Sequence, residues 1–152
     1  MMIRLAKRDK FPVDNMNVEL SKDSIEALYF TAYGCYNQGK IDDATGYFRL
    51  LTQADTRTKK HWMGLAACFQ LKKEYKQAIE AYEIAVALEP TDPYVHFHAA
   101  NCYYSLGNIE DALFALECAK RAIKSQPATD SLKNLSRHIA LIYKTWKSKN
   151  NN

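Results

Sequence analysis

The chain has 152 residues, a length that holds one domain with its own core and excludes a large multidomain enzyme. Apolar residues make up 47% and charged residues 25%, the balance of a folded protein rather than a disordered or fibrous one, while five glycines and four prolines are too few to punctuate a sandwich or barrel of many short strands. The formal charge of +4 is divided, with +3 on residues 1–10, +7 on residues 120–149 and −6 between them; without a nucleic-acid-binding motif the basic ends read as solvated helix faces, and no nucleic-acid partner is expected.

In chain order, residues 1–23 form an expected amino-terminal arm, with Pro12 and mixed polarity. Met16, Val18 and Leu20 alternate there before the first cap, and one short helix, a candidate for self-association together with the first helix, is expected. MMIRLAKRDK is basic but has no apolar h-region, and no stretch nears eighteen uninterrupted apolar residues, so neither export nor membrane insertion is expected. Asp23, followed by Glu26 three residues later, is a capping-box variant that should open the first helix. Helix pairs are predicted near 24–54, 58–88 and 93–124, with Gly39 and Gly107 at inter-helix turns and Asp92-Pro93 as an N-cap and first-turn pair. After Pro127, the residues Leu132, Leu135, Ile139, Ile142, Tyr143 and Trp146 recur at three- and four-residue steps. They predict one more amphipathic helix over 128–148, opened by Asp130 and capping the last pair, with a disordered tail at 149–152.

The pairs repeat at a fixed period. Ala32, Ala66 and Ala100 are 34 residues apart, as are Ala44, Ala78 and Ala112. The same offset aligns Ile41 with Tyr75 and Ile109, Phe48 with Tyr82 and Leu116, and Leu51 with Ala85 and Ala119. Small residues in such columns let antiparallel helices approach while larger ones fill the gaps around them. The segment HWMGLAACFQLKKEYKQAIEAYEIAVALEP carries Trp62, Leu65, Ala66, Tyr75, Ala78, Tyr82, Ala85 and Pro90 at the signature positions of the tetratricopeptide repeat, which it resembles strongly. The third copy has His96 where that repeat favours tryptophan, and the first has Leu28 there. The fold class expected is all-α, a tetratricopeptide-repeat solenoid of three helix pairs plus a C-terminal capping helix.

In that repeat the first helix of each pair lines a concave face. Its lining positions read Tyr29, Tyr33 and Tyr36, then Met63, Ala67 and Gln70, then Phe97, Asn101 and Tyr104, an aromatic and uncharged trough suited to an extended peptide. Members of the repeat family that clamp terminal carboxylates use lysine, asparagine and arginine where this chain has Tyr29, Tyr33, Gly64, Ala67, Tyr94 and His98, so that chemistry is excluded. The stretches LYFTAYGCYNQGKIDDATGYFRLL, WMGLAACFQLKKEYKQAIEAY and FHAANCYYSLGNIEDAL give a more specific resemblance, over about Asp23 to Lys124, to the class II translocator chaperones of bacterial type III secretion. That resemblance implies a dimeric cytosolic chaperone that binds hydrophobic translocators through a PxLxxP-type segment in the groove, with Tyr29, Tyr33 and Tyr36 forming pockets and Met63, Phe97 and Tyr104 extending the floor. The arm and the basic final helix depart from the family pattern.

No catalytic constellation competes with this reading. His98 and Cys102 sit four residues apart, but the sequence places no further ligands beside them, and Cys102 shares its repeat position with Cys68 and Gly34 as a small packing residue. His61 and His138 lie in basic neighbourhoods with no nucleophile pairing, and no phosphate-binding glycine loop occurs. A non-enzyme without cofactor or metal is expected. Cys35, Cys68, Cys102 and Cys118 lack CxxC spacing and point to a reducing, cytosolic compartment. The alternative function is a generic tetratricopeptide scaffold joining folded partners, and the occupant of the groove discriminates the two.

Overall fold

A computed structural model of the chain describes residues 19–152. Of the arm expected over 1–23, with its dimerisation helix, residues 1–18 lie outside the described residues, and Lys22 and Asp23 already belong to the first helix. Among the described residues seven helices follow one another: α1 (Lys22–Asn37), α2 (Ile41–Ala54), α3 (Lys59–Leu71), α4 (Tyr75–Leu88), α5 (Pro93–Ser105), α6 (Ile109–Lys124) and α7 (Asp130–Asn150). Among the described residues there is no strand, and no helix is long and apolar enough to cross a membrane.

Helix starts follow from local capping chemistry. Asp92 Oδ1 accepts the Tyr94 N–H at 2.9 Å with Pro93 in the first turn, as expected. At α1 the expectation is corrected: the cap is Ser21, whose Oγ accepts the Ser24 N–H at 3.1 Å, and Asp23 sits inside the first turn, where its charge favours the helix dipole. Similarly, Thr129 caps α7 through the Leu132 N–H, and Asp130 is the first helical residue. That helix runs on to Asn150, past the start of the tail expected at 149.

Each turn inside a pair is built the same way. A residue in the left-handed region, Gly39 at φ 78°, Lys73 at 60° and Gly107 at 81°, stands 34 positions from its counterpart. The amide that follows each one closes back onto the helix: Lys40 N–H to Cys35 O, Glu74 N–H to Phe69 O and Asn108 N–H to Tyr103 O, each at 2.9 Å. This six-to-one closure satisfies carbonyls that a helix end leaves orphaned.

The repeat columns are the core. Ala32, Ala66, Ala100, Ala44, Ala78 and Ala112 have no exposed surface, and Phe48, Tyr82 and Leu116 are buried between them. Close approach excludes a side chain at Gly64, where a Cβ would overlap the Phe48 ring. Helices pack within the pairs α1/α2, α3/α4 and α5/α6, and the second helix of each pair packs on the first of the next. α7 continues the series on α6. Two apolar clusters result, one spanning α1 to α5 and one joining α5, α6 and α7 around Leu116, Ile139 and Trp146.

Polar contacts fix the stacking of the pairs. Trp62 Nε1 donates to Thr56 O at 2.9 Å, and 34 residues on His96 Nε2 reaches Pro90 O at 2.8 Å. A carbonyl only accepts, so the His96 ring carries its proton on Nε2 and reproduces the indole's hydrogen bond. Lys59 bridges forward to Asp92 at 2.6 Å and to Glu89, tying the second pair to the third.

Candidate functional site: a cleft on the face of the first helices

A 3.6-residue helical period brings residues at steps of three and four to one side, and the rows of α1, α3 and α5 thereby meet on a common face. There the structure holds a cleft of about 310 Å³ lined by Tyr36, Met63, Ala67, Gln70, Leu71, Tyr82 and His98. No lysine, arginine, aspartate or glutamate is among these residues. The lining suits apolar side chains together with a few hydrogen bonds.

One wall of the cleft is pre-organised. Tyr82, 2% exposed, donates its hydroxyl to Gln70 Oε1 at 2.8 Å and stacks on His98, with centroids 5.8 Å apart and planes at 16°. Burial holds the Tyr82 phenol well above its ordinary pKa, so it remains a donor. With its carbonyl oxygen engaged, the Gln70 amide group is left to donate. Burial also lowers the His98 pKa, against the opposing pull of Asp92, and keeps the ring neutral beside the cleft. On the opposite side, the Tyr36 phenol is raised by burial and then by Cys68 and Tyr33.

Toward α1 the tyrosine row extends beyond the cleft. Tyr29 packs against Tyr33 (6.1 Å), Phe48 (6.1 Å) and His61 (5.8 Å), and the Lys60 ammonium lies 4.2 Å above its ring. Tyr29 is thus partly a core residue, whereas Tyr33 is 50% exposed. Toward α7 the row is taken up by packing. Phe97 lies 5.3 Å from His138, and Tyr104 stacks on Trp146 at 4.3 Å with planes 9° apart while its hydroxyl accepts from Lys149 Nζ at 2.9 Å. Asn101 is half-buried between these two.

Of the nine lining residues expected from sequence, Tyr36, Met63, Ala67 and Gln70 share the cleft, Tyr29 and Tyr33 extend it, Phe97 and Tyr104 face α7, and Asn101 on the same helix as these two is half-buried outside the cleft. Three cleft residues were outside that expectation. Tyr82 belongs to the core column with Phe48 and Leu116, and only its hydroxyl betrays a second use; His98 follows the lining position of Phe97; Leu71 ends α3. Cys102, by contrast, is buried, its thiol pushed up to about 12, and packs as a small core residue.

A family model described as anaphase-promoting complex, cyclosome, subunit 3, matches residues 37–119, from the end of α1 into α6. Low calcium response locus protein H of Yersinia pseudotuberculosis is 31% identical over 131 residues, which cover 86% of this chain and 76% of the relative. The type III secretion chaperone SycD of Yersinia enterocolitica, solved with a peptide of the translocator YopD, superimposes with a TM-score of 0.81 at 31% identity over 88% of this chain and 99% of SycD. PcrH, solved with the chaperone-binding region of PopD, gives a TM-score of 0.81 at 29% identity over 89% of this chain and 99% of PcrH. Helix order, repeat columns and these relatives agree: the chain belongs to the tetratricopeptide-repeat family of type III secretion translocator chaperones.

Proposed function

We propose that this protein is a chaperone for hydrophobic type III secretion translocators, holding an extended client segment in the cleft between α1, α3 and α5 and so keeping the client soluble and unassociated before secretion. The observation that carries this reading is the uncharged cleft walled by Tyr36, Met63, Ala67 and the Gln70–Tyr82–His98 array, on a fold whose relatives are solved with translocator peptides. A client built for membranes exposes apolar surface, and seating an apolar segment in the cleft removes some of it from water. Tyr29 and Tyr33 lengthen the binding row at one end. Met63 and Ala67 form its floor, Gln70 offers its amide to a client carbonyl, and Phe97, Asn101 and Tyr104 form the far end against α7. The protein works by binding, without a chemical step, in the bacterial cytosol. Self-association would join two copies through the amino-terminal arm and α1.

Titration of a PxLxxP-type peptide tests the assignment. Tyr33→Ala and Tyr36→Ala each remove an aromatic anchor worth about 2 kcal/mol, and each should weaken binding roughly thirtyfold. Ala67→Phe fills the cleft and should abolish binding while the fold is retained by thermal melt. Unchanged affinity in all three variants would remove the client from this face and leave a scaffold that joins partners elsewhere.

A further inference from the structure

α7 occupies the place of the first helix of a fourth pair. It packs on α6 as α3 packs on α2 and α5 on α4, burying Leu132, Leu135, Ile139 and Trp146. Among the described residues no helix packs on the opposite face. That face carries Lys133, Arg137, Leu141 and Lys144, at steps of four, four and three residues, so all four lie along one side of the helix. All are exposed, Leu141 to 66%.

Among the described residues the charges of this row have no counterparts. Among the described residues none of the three cations forms an ion pair; Arg137 donates only to Asn134, at 3.0 Å. Asp130, in the first turn, is the only acid of α7. Other cations nearby are committed internally: Lys120 and Lys147 lie over the Tyr143 ring and Lys149 over Tyr104. A solvated helix face ordinarily mixes signs, because opposite charges at three- and four-residue steps stabilise it and like charges do the reverse. Here a row of one sign surrounds an exposed leucine, at the position where the repeat pattern elsewhere places a partner helix.

We propose that this face docks an acidic amphipathic helix of a partner protein, seated where the second helix of a fourth pair would lie. Leu141 meets the partner's apolar row, and Lys133, Arg137 and Lys144 meet carboxylates flanking it. The exposed leucine in the centre of the row fits a protein helix better than a phosphate backbone, and α7 lacks the broad apolar face that an interfacial helix inserts into a membrane, because Leu132, Leu135, Ile139 and Trp146 are buried on the inward side. The surface is separate from the client cleft, so both partners bind together.

The test uses the full chain and a fluorescently labelled synthetic helical peptide whose leucine row is flanked by glutamates. A second peptide has the same composition with central prolines that break the helix. The helical peptide should bind wild type about tenfold or more tightly than the broken one, and should weaken by about tenfold or more with Lys133→Glu/Arg137→Glu/Lys144→Glu and severalfold with Leu141→Ala. A glutamine triple variant at the same three positions gives the same direction if charge reversal perturbs folding. A PxLxxP-type client peptide should bind all variants like wild type. Equal binding of the two peptides, indifference to Leu141→Ala, or tighter binding of duplex DNA or phosphatidylglycerol vesicles would overturn the proposal. So would a self-association that disappears in the charge variant, since the occupant would then be a second copy.

Discussion

Lys73 shows how the repeat tolerates an unfavourable residue. It takes the left-handed turn position that glycine fills at 39 and 107, with the same backbone closure behind it. Its Cβ pays a steric cost there that glycine avoids. Lys73→Gly should therefore raise stability by about 0.5–1 kcal/mol after the added freedom of the unfolded chain is subtracted, read from chemical denaturation. A loss of stability would show that the lysine side chain contributes more than its backbone costs. The turn was legible at the two glycines and hidden at the third, because only the 34-residue offset, and no residue type, marks Lys73. His96 likewise breaks the sequence pattern while keeping the hydrogen bond of the tryptophan it replaces.

Two histidines set a pH dependence at the same scale. His61, 1% exposed, has its pKa lowered by burial and by Lys60, against the Asp55 carbonyl and carboxylate, and its Nε2 has no hydrogen-bond partner among the described residues. Burial lowers His98 too. A folded-state pKa below the ordinary 6.5 means that folding favours the neutral ring, so this stability is fully present above 6.5 and is lost as pH falls toward the depressed values. Thermal melts should fall between pH 7.5 and 5, more steeply for wild type than for His61→Gln/His98→Gln. Parallel slopes for the two proteins would place the acid sensitivity elsewhere.

Among the elements, α7 is the one whose role exceeds what its pattern predicted. The three- and four-residue steps of Leu132, Leu135, Ile139, Ile142, Tyr143 and Trp146 foretold the helix and its inward face, on which Ile142 and Tyr143 are only half-buried beside the other four. They did not foretell that Trp146 would stack on Tyr104 and that His138 would meet Phe97, because periodicity specifies a face and not the neighbour it meets. The consequence is that α7 closes one end of the groove. Trp146, 7% exposed, joins α7 to the second apolar cluster, and Trp146→Ala should cost about 3–5 kcal/mol. Hydrogen exchange should report the loss as faster exchange confined to α6 and α7, with α1 to α4 protected as before. Uniformly faster exchange along the chain would instead make the solenoid one cooperative unit. The starts of α1 and α7 moved from Asp23 to Ser21 and from Asp130 to Thr129, where hydroxyls in extended backbone reach the first free amides.

For the whole molecule, most of the architecture follows from one number, the repeat offset. Columns of alanine at close contacts and of larger residues around them fix the helix pairs, their turns and their succession, and every alanine of the two main columns is fully buried. The binding face was less legible. A lining position tells which way a side chain leaves the helix, but whether it stays free depends on the next pair: Tyr36, Met63, Ala67 and Gln70 stay at the cleft, while Phe97 and Tyr104 meet α7. Tyr82 could not be assigned to the cleft from sequence, since one side chain serves the core with its ring and the site with its hydroxyl.

Methyl NMR with a PxLxxP-type peptide bound to the full chain locates the client, because the methyls of Met63 and Ala67 lie on the cleft and that of Ala140 lies on α7, away from it. Met63 and Ala67 should shift strongly and show contacts to the peptide's apolar side chains, with Ala140 unmoved. Shifts at Ala140 with Met63 and Ala67 undisturbed would contradict the cleft assignment, since the client would then be held on the final helix rather than between the first helices of the pairs.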